Sequence, residues 1–263
     1  MRRSTSNKLL TDAIITAAKY HEGTDVPGTD RPYIFHCLDV ARELDSLGVS
    51  YEAVAASLLM ETFDLSTAAE EEYRAGFGET VLSYITELAA DPAQTPSQRR
   101  NSTLKRLPQL SDEAKIIFLA DVCISLEELA EDWAINGNDA FKHRHTTRKA
   151  LARYYSAALD ELVAFGFSED IAGLYQDAMR AFSEIFCRFY YDPEEDVLYL
   201  ETEEGEYLKR TPENDGLEAV SVLPDEAEEI SAEDFYFIQH LQLNNPEDEP
   251  FEYEPKEKPL PKA

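Results

Sequence analysis

Carboxylates, imidazoles and thiols are the groups through which this chain could do chemistry. In "AASLLMETFDLS", residues 55–66, a small-then-aliphatic lead-in ends on Met60, Glu61 and Asp64. Three positions apart, Glu61 and Asp64 share one face of a predicted helix and would form an acidic patch. Such pairs serve acid–base work, and they are also common on solvated helices. His143 and His145 alternate in "FKHRHTTRKALAR", but Lys142, Arg144, Arg148 and Lys149 surround them and disfavour a further cation there. Cys37, Cys123 and Cys187 are odd in number, far apart and set among apolar neighbours, so they read as reduced core residues. The chain has no glycine-rich phosphate loop, no Gly-x-Ser-x-Gly elbow and no His-Glu-x-x-His.

Helices must position these groups. Apolar residues recur at helical spacing in Leu9, Leu10, Ile14, Ala17 and Ala18, and again in Val40, Leu44 and Leu47, with Gly48 as a stop. Ser50 reads as the cap of a helix over "YEAVAASLLMETF". Further helices are predicted over "ETVLSYITELA", "DEAKIIFLADVCISLEELAEDW", "TTRKALARYYSAALDELVAF" and "SEDIAGLYQDAMRAFSEIFCRFYY", the second of these apolar enough to be buried on most sides. After Tyr191, "VLYLETEEGEYLKR" reads as a hairpin turning at Gly205, "AVSVLP" as a third strand and "SAEDFYFIQHL" as a closing helix. The predicted class is mainly α: a helical domain over 1–190, a small acidic hairpin-containing α+β extension over 191–243, and a Pro/Glu-rich tail over 244–263 without fixed structure.

Composition narrows the partners. A chain of 263 residues with 43% hydrophobic content can fill a core, and the lack of an eighteen-residue apolar run predicts a soluble, cytoplasmic protein. A net charge of −29 repels nucleic acid and anionic membranes. Any phosphate site would therefore need local cations of its own.

Five blocks, "AAKYHEG", "RPYIFHCLDVARELDSLG", "YEAVAASLLMETFDLS", "FGETVLSYITELAAD" and "SDEAKIIFLADVCISLEEL", occur in the order and rough spacing of the RelA/SpoT-type HD-domain hydrolases. Over residues 9–166 the chain most resembles their small stand-alone members. The resemblance implies an all-helical HD fold holding one manganese ion and removing the 3′-pyrophosphate of guanosine tetraphosphate. It also implies His36 and Asp121 as retained metal ligands, with Met60 and Glu61 where the family has an adjacent His-Asp pair. Asp64 and Leu65 stand where the family has a Glu-Asp pair that activates water. Methionine is a soft ligand poorly suited to manganese, and Leu65 cannot accept a proton. Glu61 keeps the charge and adds about 1.5 Å of reach.

Other positions depart in the same direction. The loop "HEGTDVPGTDRPYIFH" carries Asp25 and Asp30, with Arg31 as its one cation, where the family is rich in Arg and Lys. Val122 and Ser125 replace a basic residue and an asparagine after "LAD". Arg99 and Arg100 match basic positions of the family, and His21 matches another of its positions but reads as a structural histidine. These coordinated changes lead to a first reading: an HD-domain pseudoenzyme with a degraded metal centre and no cofactor, acting by binding a protein partner. Two alternatives stand beside it. One is an altered live phosphohydrolase holding Mn2+ through His36, Glu61 and Asp121, with Asp64 positioning water. The other is a sensor that binds a guanine nucleotide without turnover. The basic segment Lys142–Arg153 reads as a solvated helix start, or as a basic patch that docks the acidic C-terminal region or a partner.

Overall fold

A run of small and aliphatic residues, Ala53 to Leu59, sets the centre of the helical unit. In the computed structural model all seven are buried, and the helix that carries them, α3 (Tyr51–Leu59), packs against α1 (Arg2–Tyr20), α2 (Ile34–Ser46), α5 (Glu79–Leu88) and α7 (Asp112–Asn136). A helix buried all round needs small side chains where neighbours approach; Ala53, Ala55, Ala56 and Ser57 supply them. Ser50 caps it as predicted, its side chain accepting from the Ala53 N–H. The second central helix, α7, buries consecutive positions Ile117 to Ala120 and Val122 to Ile124, matching the apolar run in its sequence.

The chain divides into two units, Met1–Phe182 and Ser183–Ala263. The structure describes residues 2–63, 67–166, 168–203, 205–211, 214–224 and 226–244. Asp64 and Leu65, and nearly all of the expected tail, lie outside the described residues. The first unit also contains α4 (Thr67–Phe77), α6 (Pro96–Arg106), α8 (Asp139–His143) and α9 (Arg148–Phe165). The unit boundary falls within α10 (Glu169–Phe186). No helix among the described residues is long and apolar enough to cross a membrane.

Two expectations are corrected in the second unit. The helix expected through Tyr191 stops at Phe186, and Arg188–Asp192 is instead strand β1. Its alternation of Phe189 and Tyr191 against Tyr190 suits a pleated strand better than a helix. It lies in an antiparallel sheet of order β4-β3-β2-β1-β5, with β2 (Val197–Glu201), β3 (Tyr207–Thr211), β4 (Asn214–Val220) and β5 (Glu228–Ile230). The β2–β3 hairpin turns at Gly205 as predicted, whereas of "AVSVLP" only Ala219 and Val220 belong to a strand. Helix α11 (Ala232–Asn244) places Phe235 and Ile238 on Phe189, Tyr191, Leu198, Leu200 and Ile230 to form this unit's core. All three cysteines are free, but Cys187 is only half-buried.

The loop between α1 and α2 folds back through Val26 N–H to Arg31 O at 2.8 Å and Tyr33 N–H to Thr24 O at 2.8 Å. Within it Gly28 has φ +84°, and a Cβ there would lie 2.3 Å from Oδ2 of Asp132 on α7. That carboxylate is pinned by Asn136, His143 and Arg144 and has no room to yield. Gly28→Ala is therefore expected to cost about 2 kcal/mol or more, the left-handed backbone alone accounting for roughly 1–2. An unchanged urea midpoint would show that the loop is not seated on Asp132.

Candidate functional site

The site begins where α3 stops. The predicted helix through Phe63 ends at Leu59, with Met60 as its C-cap. Thr62 turns the chain, its hydroxyl donating to Leu59 O at 2.8 Å, and Tyr73 holds the turn by donating to Thr62 O at 3.1 Å. Glu61 consequently sits in a turn instead of on the helical face predicted for it. Met60 is half-buried and borders the pocket described below.

Helices α2 and α7 bring the separated blocks together in one polar chain. Arg31 Nη1 donates to Glu128 Oε1 at 3.2 Å, and the other Glu128 oxygen lies 3.0 Å from His36 Nδ1. His36 Nε2 is 3.2 Å from Asp121 Oδ1. Burial by itself would lower the His36 pKa, but its bonds to Asp121 and Glu128 lift it to about 10. The two carboxylates thus favour a proton on the ring, one that a metal ion at Nε2 would displace. Arg31 also pairs with Asp39 and does not line the pocket, so its link to the site runs through Glu128.

A second polar group lies beside the first. Tyr33 sets its ring between His21 and His36, at centroid distances of 4.8 and 5.0 Å, and its hydroxyl donates to Glu61 Oε1 at 3.0 Å. The other Glu61 oxygen is 4.0 Å from His21 Nε2. That nitrogen is buried and, among the described residues, has no hydrogen-bond partner. Burial, then the charge of His36, lowers the His21 pKa and favours its neutral ring. The Glu61 side chain is 44% exposed, yet it stands in a concave wall where lost hydration, then the charge of Asp121, raises its pKa.

These groups form one side of a pocket of about 610 Å³, lined by His21, Tyr33, Met60, Glu61 and Asp121. Arg99, Arg100 and Arg106 of α6 line it too, together with Tyr154 of α9. Arg99 bonds the carbonyls of Gln94 and Pro92, Arg100 the Thr146 hydroxyl, and Arg106 the carbonyls of Glu87 and Ala89. Among the described residues none of the three pairs with a carboxylate. In a chain with 53 acidic and 24 basic residues, three such guanidinium groups lining one pocket are a concentration of positive charge of the kind that suits an anion. Glu87 also lines the pocket, but its carboxylate accepts from the Ser111 N–H and hydroxyl at the start of α7.

Sequence reasoning found Arg99 and Arg100 but missed Arg106, Tyr154 and the helix carrying the arginines. The signal for α6 was present: Thr95 and Gln98 form a capping box, with Pro96 in its first turn. His143 and His145 remain away from the pocket, and His143 bonds Asp132.

The donor chemistry here fits a hard divalent cation. An imidazole beside one carboxylate and backed by another is the usual ligand and its support, and Glu61 offers a further oxygen donor. Met60 offers only a thioether.

Residues 13–132 match the HD domain family. Over 129 residues the chain is 30% identical to guanosine-3′,5′-bis(diphosphate) 3′-pyrophosphohydrolase MESH1 of Danio rerio, covering 47% of this chain and 71% of that protein. It is 37% identical over 103 residues to the guanosine-3′,5′-bis(diphosphate) 3′-pyrophosphohydrolase of Aquifex aeolicus, covering 39% of this chain and 15% of the relative. A solved structure of a metazoan ortholog of SpoT, which hydrolyzes ppGpp and plays a role in starvation responses, shares the fold with a TM-score of 0.54 at 19% identity. That alignment covers 65% of this chain and 94% of the other. The chain thus belongs to the HD-domain family that contains MESH1 and the bacterial guanosine-3′,5′-bis(diphosphate) 3′-pyrophosphohydrolases.

Proposed function

We propose that the pocket binds a pyrophosphorylated guanine nucleotide and, with Met60 and Glu61 in its metal centre, retains it without efficient turnover. The observation that carries this reading is the wall of Arg99, Arg100 and Arg106, which lines the pocket without a carboxylate partner among the described residues. Arg99 and Arg100 match basic positions of the family in sequence, and Arg106 joins them, so α6 supplies cations that the acidic loop lacks. The pseudoenzyme idea then takes a specific form, a regulatory protein whose bound nucleotide is read by a protein partner.

A second reading has its own support. Glu128 behind His36, with Asp121 in front, keeps the hard-ligand chemistry of a working centre. His36, Glu61 and Asp121 would hold the ion, which would supply Lewis-acid polarisation of a phosphoryl oxygen. This chain's own groups would do the rest: the arginines hold the phosphates, and Tyr33 orients Glu61.

Thermal unfolding tests both readings. Guanosine 3′,5′-bis(diphosphate) in chelator is expected to stabilise the protein by about 2.7 kcal/mol at a hundredfold excess over Kd. Arg106→Ala should weaken binding about tenfold, the worth of one charged hydrogen-bonding group. No shift with any guanine nucleotide would rule out nucleotide binding. Manganese-dependent pyrophosphate release at about 1 per second or faster would establish the second reading.

A further inference from the structure

His21 Nε2 is the unexplained atom of the pocket. The residue is 6% exposed, lines the cavity and, among the described residues, lacks a partner for this nitrogen. A buried polar atom without a partner is costly, and in a native structure it calls for a missing ligand or water. Its nearest ionic neighbour is Glu61 Oε2 at 4.0 Å, too far for a hydrogen bond. Two donors that each reach about 2.0–2.2 Å to an ion can flank it across such a gap. Tyr33 closes the other side, because its hydroxyl fixes the second Glu61 oxygen and its ring separates His21 from His36.

From this arrangement we infer that His21 and Glu61 form a two-donor seat for a divalent cation, distinct from the His36–Asp121 pair, which fills only together with the bound pyrophosphate. Two protein donors are too few for an ion to be held alone. A hard cation bound by one or two protein groups takes the rest of its shell from water and substrate phosphates. The arginine wall holds those phosphates in the same cavity, so the inference rests on the nucleotide-binding reading. His21, taken from sequence as a structural histidine, becomes a ligand that enters with the nucleotide.

The test is Mn2+ binding followed by electron paramagnetic resonance on the full chain, with and without guanosine 3′,5′-bis(diphosphate). Nucleotide should tighten Mn2+ binding in the wild type. His21→Gln and Glu61→Gln should each weaken the nucleotide-dependent binding at least about tenfold, since even supporting groups around a metal contribute 10–100-fold. The nucleotide-induced shift in unfolding temperature in chelator checks that each variant folds and that its arginine wall still works. If His21→Gln keeps the full gain, the seat is elsewhere and the inference is wrong while nucleotide binding stands. If nucleotide neither stabilises the protein nor tightens Mn2+ binding, both readings fall. Nitrogen coupling to bound Mn2+ in the wild type that vanishes in His21→Gln identifies the ligand directly.

Discussion

Asp132→Ala should lower the stability of the helical unit by about 3–5 kcal/mol, the cost of removing one partner from a buried ion pair. Asp132 is 1% exposed, and every interaction around it favours the carboxylate. Asn136 Nδ2 donates to Oδ1 at 2.8 Å, His143 Nδ1 lies 3.2 Å from Oδ2, and Arg144 forms an ion pair with it. Arg144 is itself braced on Ala140 O at 3.0 Å. Removing the carboxylate leaves a largely buried guanidinium without its partner and takes the floor from beneath Gly28. Arg144→Met should be milder, and the double variant should recover part of the loss, because an apolar pair leaves no isolated charge.

The pH dependence has a definite sign. Burial alone would raise the Asp132 pKa, but hydrogen bonds from Asn136, Arg144 and His143 and the charge of Arg144 hold it below the usual carboxylate range. A folded pKa below the unfolded value, about 3.9, means that the unfolded chain binds more protons in that interval. The stabilisation is therefore complete above the unfolded pKa and is lost as pH falls through the folded one. The stability gap between wild type and Asp132→Asn should be widest near neutrality and shrink below about pH 4. Equal denaturant midpoints at pH 7 would show that the cluster is not holding the fold.

The helical frame was legible because its elements signal themselves locally. Ser50 as a cap, Gly48 as a stop and the apolar run of α7 each follow from short-range chemistry, and the ordered blocks placed His36 and Asp121 near each other. The pocket's basic wall was not legible by the same means. Helix α6 buries none of its residues and shows no apolar stripe, so only its capping box marked it. The end of α3 was missed because Met60 and Glu61 suit helices, while the stop is enforced by Thr62 and by Tyr73 from another helix. Strand β1 was missed because "CRFYY" follows an apolar helix without a breaker, and it becomes a strand through its pairing with β2 and β5. For the end of α3 and for β1, part of the deciding contact, Tyr73 and β5, comes from further along the chain.

Met60→His combined with Glu61→Asp should produce the largest change in activity. Met60 faces the pocket and is half-buried, so an imidazole can replace it without opening a hole in the core. It would exchange a soft thioether for a ligand suited to manganese, beside the retained His36 and Asp121. Aspartate at 61 is about 1.5 Å shorter than glutamate, which withdraws the carboxylate from the Tyr33 hydroxyl. The double variant should bind one Mn2+ per chain in calorimetry without nucleotide. It should release pyrophosphate from guanosine 3′,5′-bis(diphosphate) at least about a hundredfold faster than wild type, the order by which single metal-site or acid–base groups change rates. Failure to bind Mn2+ would show that His36 and Asp121 have ceased to be half of a metal site. Tight binding without hydrolysis would move the deficit to Asp64 and Leu65, where a leucine stands in place of a proton acceptor, and Leu65→Asp on that background would then be required for turnover.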